Sequence, residues 1–460
     1  MTASKDGQGL LKGSAKWWML WVLLTVGGGV YLGTELFISE QKALFLPGQT
    51  THGHHQIEMQ CTVCHADGFN SEVVLQDACM NCHGDELDDA QDSHPRSKFT
   101  NPRNAELLNH LDARQCVACH VEHRPELITT MGVSQPINVC VHCHTDIGED
   151  RPSHQGMEFN TCQSAGCHNF HDNRALYEDF LLAHADEPKT LSEPVRPLRN
   201  FSARYFDKSG LAERLTAEQI LSRAPVIKQP IPENWVHSSH AAAAIECKDC
   251  HGNEASWKEK PEHTVCESCH ENEVSTFLQG KHGMRLAQGL SPMTPAQSEL
   301  NIHVEKSHQE LTCNTCHTSH DFDTRKAAVD KCIGCHNDEH SNEYLRSPHY
   351  TLWRKELKGE AAPGTGVSCA TCHMPATRKG SGSKERIFVD HNQNANLRPN
   401  EKMIRSVCMN CHGLGFSIDA LADPVLVEHN FPGDPSVHIE SIDMAVERDE
   451  KRGKRESIYD

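Results

Sequence analysis

The sequence predicts a mostly irregular fold of short α-helices and long loops, with little β structure and one N-terminal transmembrane helix. Three observations predict it. One cysteine–histidine motif recurs along the chain, only 37% of residues are hydrophobic and 6% aromatic, and a single long uncharged stretch stands near the N-terminus.

The motif is C-x-x-C-H. It occurs ten times: Cys61/Cys64/His65, Cys79/Cys82/His83, Cys116/Cys119/His120, Cys140/Cys143/His144, Cys247/Cys250/His251, Cys266/Cys269/His270, Cys313/Cys316/His317, Cys332/Cys335/His336, Cys369/Cys372/His373 and Cys408/Cys411/His412. These use twenty of the 22 cysteines. The last two, Cys162 and Cys167, stand in TCQSAGCHNFH with four residues between them and His168 directly behind, so every cysteine obeys one rule.

Two thiols followed at once by a histidine are the attachment pattern of c-type haem. The thiols add across the porphyrin vinyl groups, and the histidine is carried under the ring to the iron. A four-residue spacer can loop outward and still bring Cys162 and Cys167 to the vinyls. Zinc sites and disulfides also use closely spaced cysteines. Neither requires a histidine behind the second cysteine, yet one stands there in eleven cases of eleven, while histidine makes up 33 of 460 residues. The expected cofactor is therefore 11 haem c. The apolar macrocycles would supply the core that the composition lacks, with the polypeptide wrapped around a haem chain.

The N-terminal stretch Trp17 to Thr34 holds 18 residues without charge. At ~1.5 Å rise this is about 27 Å, just enough to cross a hydrocarbon core. Lys5, Lys12 and Lys16 precede it; Glu35 and Glu40 follow. That asymmetry places the N-terminus in the cytoplasm and the motifs outside, in a bacterial inner membrane with the haem domains in the periplasm. A cleaved signal peptide is the competing reading, but no convincing small-x-small site follows the run.

Motif positions divide the rest: 1–45, N-terminus and anchor; 46–185, a pentahaem domain; 186–235, a linker; 236–425, a hexahaem domain; and 426–460, a charged tail, mobile or an exposed helix. The linker is rich in proline and charge, with one helix expected over 211–224, where Leu211, Leu215 and Ile220 or Leu221 recur at helical spacing. Motif starts 18 or 19 residues apart, at 61/79, 247/266 and 313/332, suggest a repeating two-haem unit. The formal charge of −19 argues against nucleic acid as a partner and favours basic patches or other haem proteins.

Eleven histidines act as proximal ligands, leaving 22 for the opposite faces. His123 in CHVEH, His171 in CHNFH and His320 in CHTSH lie three residues beyond a proximal histidine. Such a residue stays on the proximal side of its own haem and can bind only a neighbouring one. His55, His110, His154, His184, His240, His282, His308, His340, His349 and His391 complete the candidate distal ligands. No catalytic acid, base or nucleophile is expected. Bis-histidine ligation beside many acidic groups predicts low, spread potentials.

The first group of motifs, with CHVEH and the C-x4-C-H at Cys162, resembles the class III and related multihaem cytochromes c. The second, through FLQGKHGM around His282, YLRSPHY around His349, VSCATCHMP at Cys369 and VDHNQNANLRPNEKMIRSVCMNCHG running into Cys408, is similar to the hydroxylamine oxidoreductase and cytochrome c nitrite reductase superfamily. The resemblances imply electron relay between the quinol pool, or a quinol-oxidising membrane protein or dehydrogenase, and other cytochromes, a terminal reductase or outer-membrane redox partners. A stable subunit role in a larger respiratory complex would use the same haems. The second resemblance also allows an enzyme acting on nitrite, hydroxylamine or another small nitrogen or sulfur compound at a five-coordinate haem. The lysine-ended motif of the nitrite reductases is absent, and neither Tyr344 nor Tyr350 aligns with the crosslinking tyrosine of hydroxylamine oxidoreductase.

Overall fold

The computed structural model describes residues 7–39, 42–66, 72–109, 111–129, 132–136, 138–151, 154–155, 169–172, 177–198, 233–236, 238–243, 245–382, 385–395, 397 and 402–459. Cys162, Cys167, His168, His110 and the helix expected over 211–224 lie outside them. Among the described residues the chain is about 53% helical, mostly in short pieces, and 3% strand. Among the described residues, the only sheet is an antiparallel hairpin of β1 (Ala376–Lys379) and β2 (Arg386–Val389), with Ala376 opposite Val389.

Helix α1 spans Gly7–Phe37. Its 23-residue apolar window Ala15–Phe37, of mean hydropathy 1.4, buries nothing against the rest of the protein. Such a helix reaches about 35 Å, enough to cross a bilayer core of ~30 Å.

Most of the described motifs fold as single helical turns, while those at Cys79 and Cys266 sit inside the longer helices Glu72–Ala90 and His263–Gln279. In six motifs the histidine N–H donates to the carbonyl of the first cysteine: His65 to Cys61 (2.7 Å), His120 to Cys116 (2.8 Å), His144 to Cys140 (3.0 Å), His317 to Cys313 (2.9 Å), His336 to Cys332 (2.8 Å) and His412 to Cys408 (2.9 Å). Residues three apart on such a turn share a face, so both sulfurs point one way. Spacer residues reinforce it: Thr371 N donates to Ser368 Oγ (3.2 Å) while Ser368 N donates to Thr371 Oγ1 (3.0 Å), a reciprocal N-terminal cap. Inside α2 (His263–Gln279) the motif histidine His270 leaves helical geometry (φ −116°, ψ 42°), which kinks the helix at the site.

Protein-only cores are small. Trp235 packs with Ala241, and Val329 with Tyr344 and Trp353. The largest joins Leu181, Met403, Ile404, Val407, Leu414, Ile418, Leu421 and Ala445. Two segments set apart in the sequence reading pack in this region. Within the expected tail, Leu426 is buried, and helix α3 (Ser441–Tyr459) buries Ala445 and grips Glu178 through Arg448 and Arg452 (2.6 Å each). Residues 177–198 run alongside the Cys408 motif, where Leu191 N donates to Cys411 O and Val195 N to Asn410 O (2.8 Å each). Gly413 is required there, because a Cβ would stand 2.5 Å from Pro188 O.

The two haem groups touch near their distal loops. Gln56 Nε2 donates to Gln297 O (2.9 Å), Arg285 Nη1 to Gln56 O (3.2 Å), and Lys402 pairs with Glu86.

Leu414 is fully buried, so Leu414→Ala should cost about 2–5 kcal/mol, read from denaturant melts of the haem-loaded protein. At the foot of α3, hydrogen bonds to Asp419 (2.9 Å) and Asp443 (2.6 Å) raise the His438 pKa to about 9. A raised histidine contributes fully below its ordinary pKa of about 6.5, and the contribution is lost as pH rises through the folded value. The melting temperature of the unaltered protein should therefore fall towards that of His438→Gln between pH 6.5 and 9.

Candidate haem-binding centres

A metal–imidazole bond is about 2 Å long and the ring centre lies ~1 Å behind the nitrogen, so two imidazoles on opposite faces of one iron have centres roughly 6 Å apart. Nine motif histidines meet that condition with a second histidine. The centre distances are 6.0 Å for His83/His54, 6.4 Å for His120/His171, 6.1 Å for His144/His94, 6.0 Å for His251/His320 and 5.9 Å for His270/His240. They are 6.1 Å for His317/His391, 6.2 Å for His336/His282, 6.2 Å for His373/His340 and 6.3 Å for His412/His349. The tenth described motif histidine, His65, has its pKa pushed down by burial and by its neighbour His123.

The protonation states suit ligation. Burial first, and neighbouring histidine charge second, hold His282, His317, His349 and His373 down at about 4, neutral at pH 7 as a metal ligand must be. The far ring nitrogen is tied by carbonyls: Nδ1–H of His123 donates to Gly48 O (2.9 Å), His251 to Lys258 O (2.7 Å), His391 to Val389 O (2.8 Å) and His412 to Lys189 O (3.0 Å). With an acceptor there, Nδ1 carries the hydrogen and Nε2 keeps its lone pair for iron. At His340, Asn430 Nδ2 donates to Nε2 (3.2 Å), a contact that iron would displace.

His123 and His320 reach their partners from left-handed backbone (φ 63° and 71°). Histidine is among the residues that tolerate this region. The turn swings the ring away from the preceding motif, and Gly48 lets the chain close on it, since a Cβ there would lie 2.3 Å from His123 O.

A continuous cavity of about 5350 Å3 threads both groups, lined by nine of the ten described motifs and by Asn410 of the tenth. Shared among nine, that is about 600 Å3 apiece, the size of an ordinary cofactor site. Successive motifs adjoin in chain order. Cys64 neighbours Cys82, Cys79 neighbours Cys116, and Cys119 neighbours Cys140. In the second group Cys250 neighbours Cys266, Cys266 neighbours Cys313, Cys316 neighbours Cys332, Cys332 neighbours Cys369, and Cys372 neighbours Cys408. Thiol pairs, paired imidazoles and cavity together fit haem c.

The family described as Cytochrome c3 matches residues 53–145 and again 239–337, and that described as Cytochrome c552 matches 339–429. The chain is a multihaem c-type cytochrome. No solved structure matches it. The repeated match coincides with a repeated pattern of histidine pairs in the cytochrome. In each module the distal histidine seven residues before the first cysteine faces the second motif (His54/His83, His240/His270). In each, C-H-x-x-H faces back to the first motif (His123/His65, His320/His251). In each, a histidine between motifs two and three faces the fourth (His94/His144, His282/His336). The repeat is thus four motifs long, and the two-haem spacing is part of it.

Of the candidate distal ligands, His123, His171, His240, His282, His320, His340, His349 and His391 stand opposite motif histidines. His55, His154, His184 and His308 are in none of these pairs; His55 lies 3.4 Å from Glu58 and His184 2.6 Å from Glu187. His54 and His94 take part where the sequence reading did not place them. The sequence holds a signal for the first, since His54 and His240 both stand seven residues before a module's first cysteine. Accordingly His54→Ala should convert one haem from low to high spin by EPR, while His55→Ala leaves every haem low-spin.

Proposed function

We propose that this cytochrome is a membrane-anchored, periplasm-facing undecahaem relay. It would pass electrons between the quinol pool, or a membrane protein that oxidises quinol, and soluble or outer-membrane redox partners. The observation that carries the reading is that ten motif histidines each have a second histidine beside them, nine at 5.9–6.4 Å between ring centres. Bound haem c supplies a reversible one-electron couple at each centre. The chain does the rest. Paired imidazoles close both faces of an iron against water and small ligands, cysteine pairs hold each ring in place, and the adjoining motifs arrange the centres as a string.

The unburied helix α1 supports the anchor, and the net charge of −19 supports partners that present basic surfaces. The rival reading, turnover of a small nitrogen or sulfur compound, has its best footing at the Cys369 centre. There Asn430 competes for His340 Nε2, within and beside the Cytochrome c552 match.

A pyridine haemochrome assay should give eleven haems per chain, and ten in Cys162→Ser/Cys167→Ser. Low-temperature EPR and magnetic circular dichroism should show only low-spin, bis-nitrogen iron, unchanged by nitrite or hydroxylamine. A high-spin signal that responds to either would overturn the relay in favour of the enzyme.

A further inference from the structure

The two four-motif modules offer an internal comparison. Their second centres, at Cys79 and Cys266, are equivalents: proximal His83 and His270 each have a glutamate three residues on (Glu86, Glu273), and distal His54 and His240 occupy the same place in the pattern. Their distal surroundings differ. His54 Nδ1 lies 2.7 Å from Glu122 Oε1, and Glu122 also accepts Thr51 N–H (2.8 Å) and the Thr51 hydroxyl (2.9 Å). Its carboxylate is thus held by His54 and by both donors of Thr51. Among the described residues no lysine or arginine pairs with it, whereas Glu86, 3.6 Å from His83 Nδ1, is paired with Lys402.

In the second module, Ser319 stands in CHTSH where Glu122 stands in CHVEH. His240 Nδ1 is buried without a hydrogen-bond partner, and its ring meets Phe322 edge-on at 4.4 Å. One distal imidazole thus donates to a half-buried carboxylate while its counterpart donates to nothing.

We propose that Glu122 is a positioning residue that sets the haem on Cys79 and Cys82 at a lower potential than its counterpart on Cys266 and Cys269, making the two modules electrochemically unequal. A carboxylate accepting Nδ1–H makes the imidazole a stronger donor and adds negative charge near the iron. Both stabilise ferric over ferrous iron, and partial burial strengthens the effect. The couple gains one electron at iron, and no proton moves at Glu122. The inference rests on the haem reading above.

The test is an EPR-monitored redox titration of the full-length, haem-loaded protein and its variants. Glu122→Gln keeps the shape and removes the charge. It should raise one midpoint by about tenfold in the ratio of oxidised to reduced haem at fixed potential, about 59 mV for a one-electron couple. Glu122→Asp should restore the original value in large part. Ser319→Glu should lower a different midpoint. Unmoved midpoints in Glu122→Gln with bis-histidine spectra intact would overturn the role of Glu122. Should that variant fail to load haem, the absence of a lowered midpoint in Ser319→Glu would do the same. Fewer than eleven haems, or an open iron at the Cys79 centre in the unaltered protein, would instead remove the haem reading on which the inference stands.

Discussion

Everything in this structure depends on a separation of roughly 6 Å between paired imidazole rings, the separation that two nitrogen bonds to one iron would impose. The polypeptide holds little else in common from end to end. Among the described residues its protein-only cores are three small clusters, and the cavity between the rings, about 5350 Å3, takes the place that an apolar interior has in most chains of this length. Stability and the spacing of the paired histidines are therefore the same property. A histidine displaced from its partner would open an iron and also remove a tie between distant parts of the chain.

The ties run across the sequence instead of along it. His123 faces the motif two before its own, as do His171 and His320, while His54, His94, His240, His282 and His349 serve the second motif ahead. No pair of adjacent motifs can then fold to completion alone, because each centre waits for a ligand from further on or further back. This explains why motif starts 18 or 19 residues apart do not mark an independent unit. The smallest set that nearly closes on itself is four motifs. Even there the third centre borrows from outside, His120 from His171 and His317 from His391.

Covalent chemistry made half of each site legible in the sequence. Attachment through two vinyl groups fixes the spacing of cysteines and histidine in one short stretch, so His65 through His412 could be read without a structure. Distal ligands answer to no such local constraint. A histidine reaches an iron because a loop of arbitrary length returns it there, and adjacent His54 and His55 differ only in the direction a short turn points them. The packing of the C-terminal helix was illegible for a related reason. The charged residues of Ser441–Tyr459 lie on a helix whose other face buries Ala445, and its arginines close on Glu178, some 270 residues earlier in the chain.

Duplication followed by divergence in the surroundings gives such a chain a way to grade its centres without altering any ligand. Iron at the Cys79 and Cys266 positions would see the same two imidazoles, so axial identity cannot separate them. What remains is the hydrogen bond on the far ring nitrogen, and it differs in kind: carboxylate for His54, nothing for His240. Elsewhere the same nitrogen meets a second carboxylate, Asp92, at His171 (3.2 Å), and at His123, His251, His391 and His412 it meets backbone carbonyls, whose dipoles are weaker than a full charge. A sequence of such choices, carboxylate, carbonyl or none, spreads potentials along a string of otherwise identical centres. If the string relays electrons as proposed, the grading of its centres would lie in residues that never touch iron.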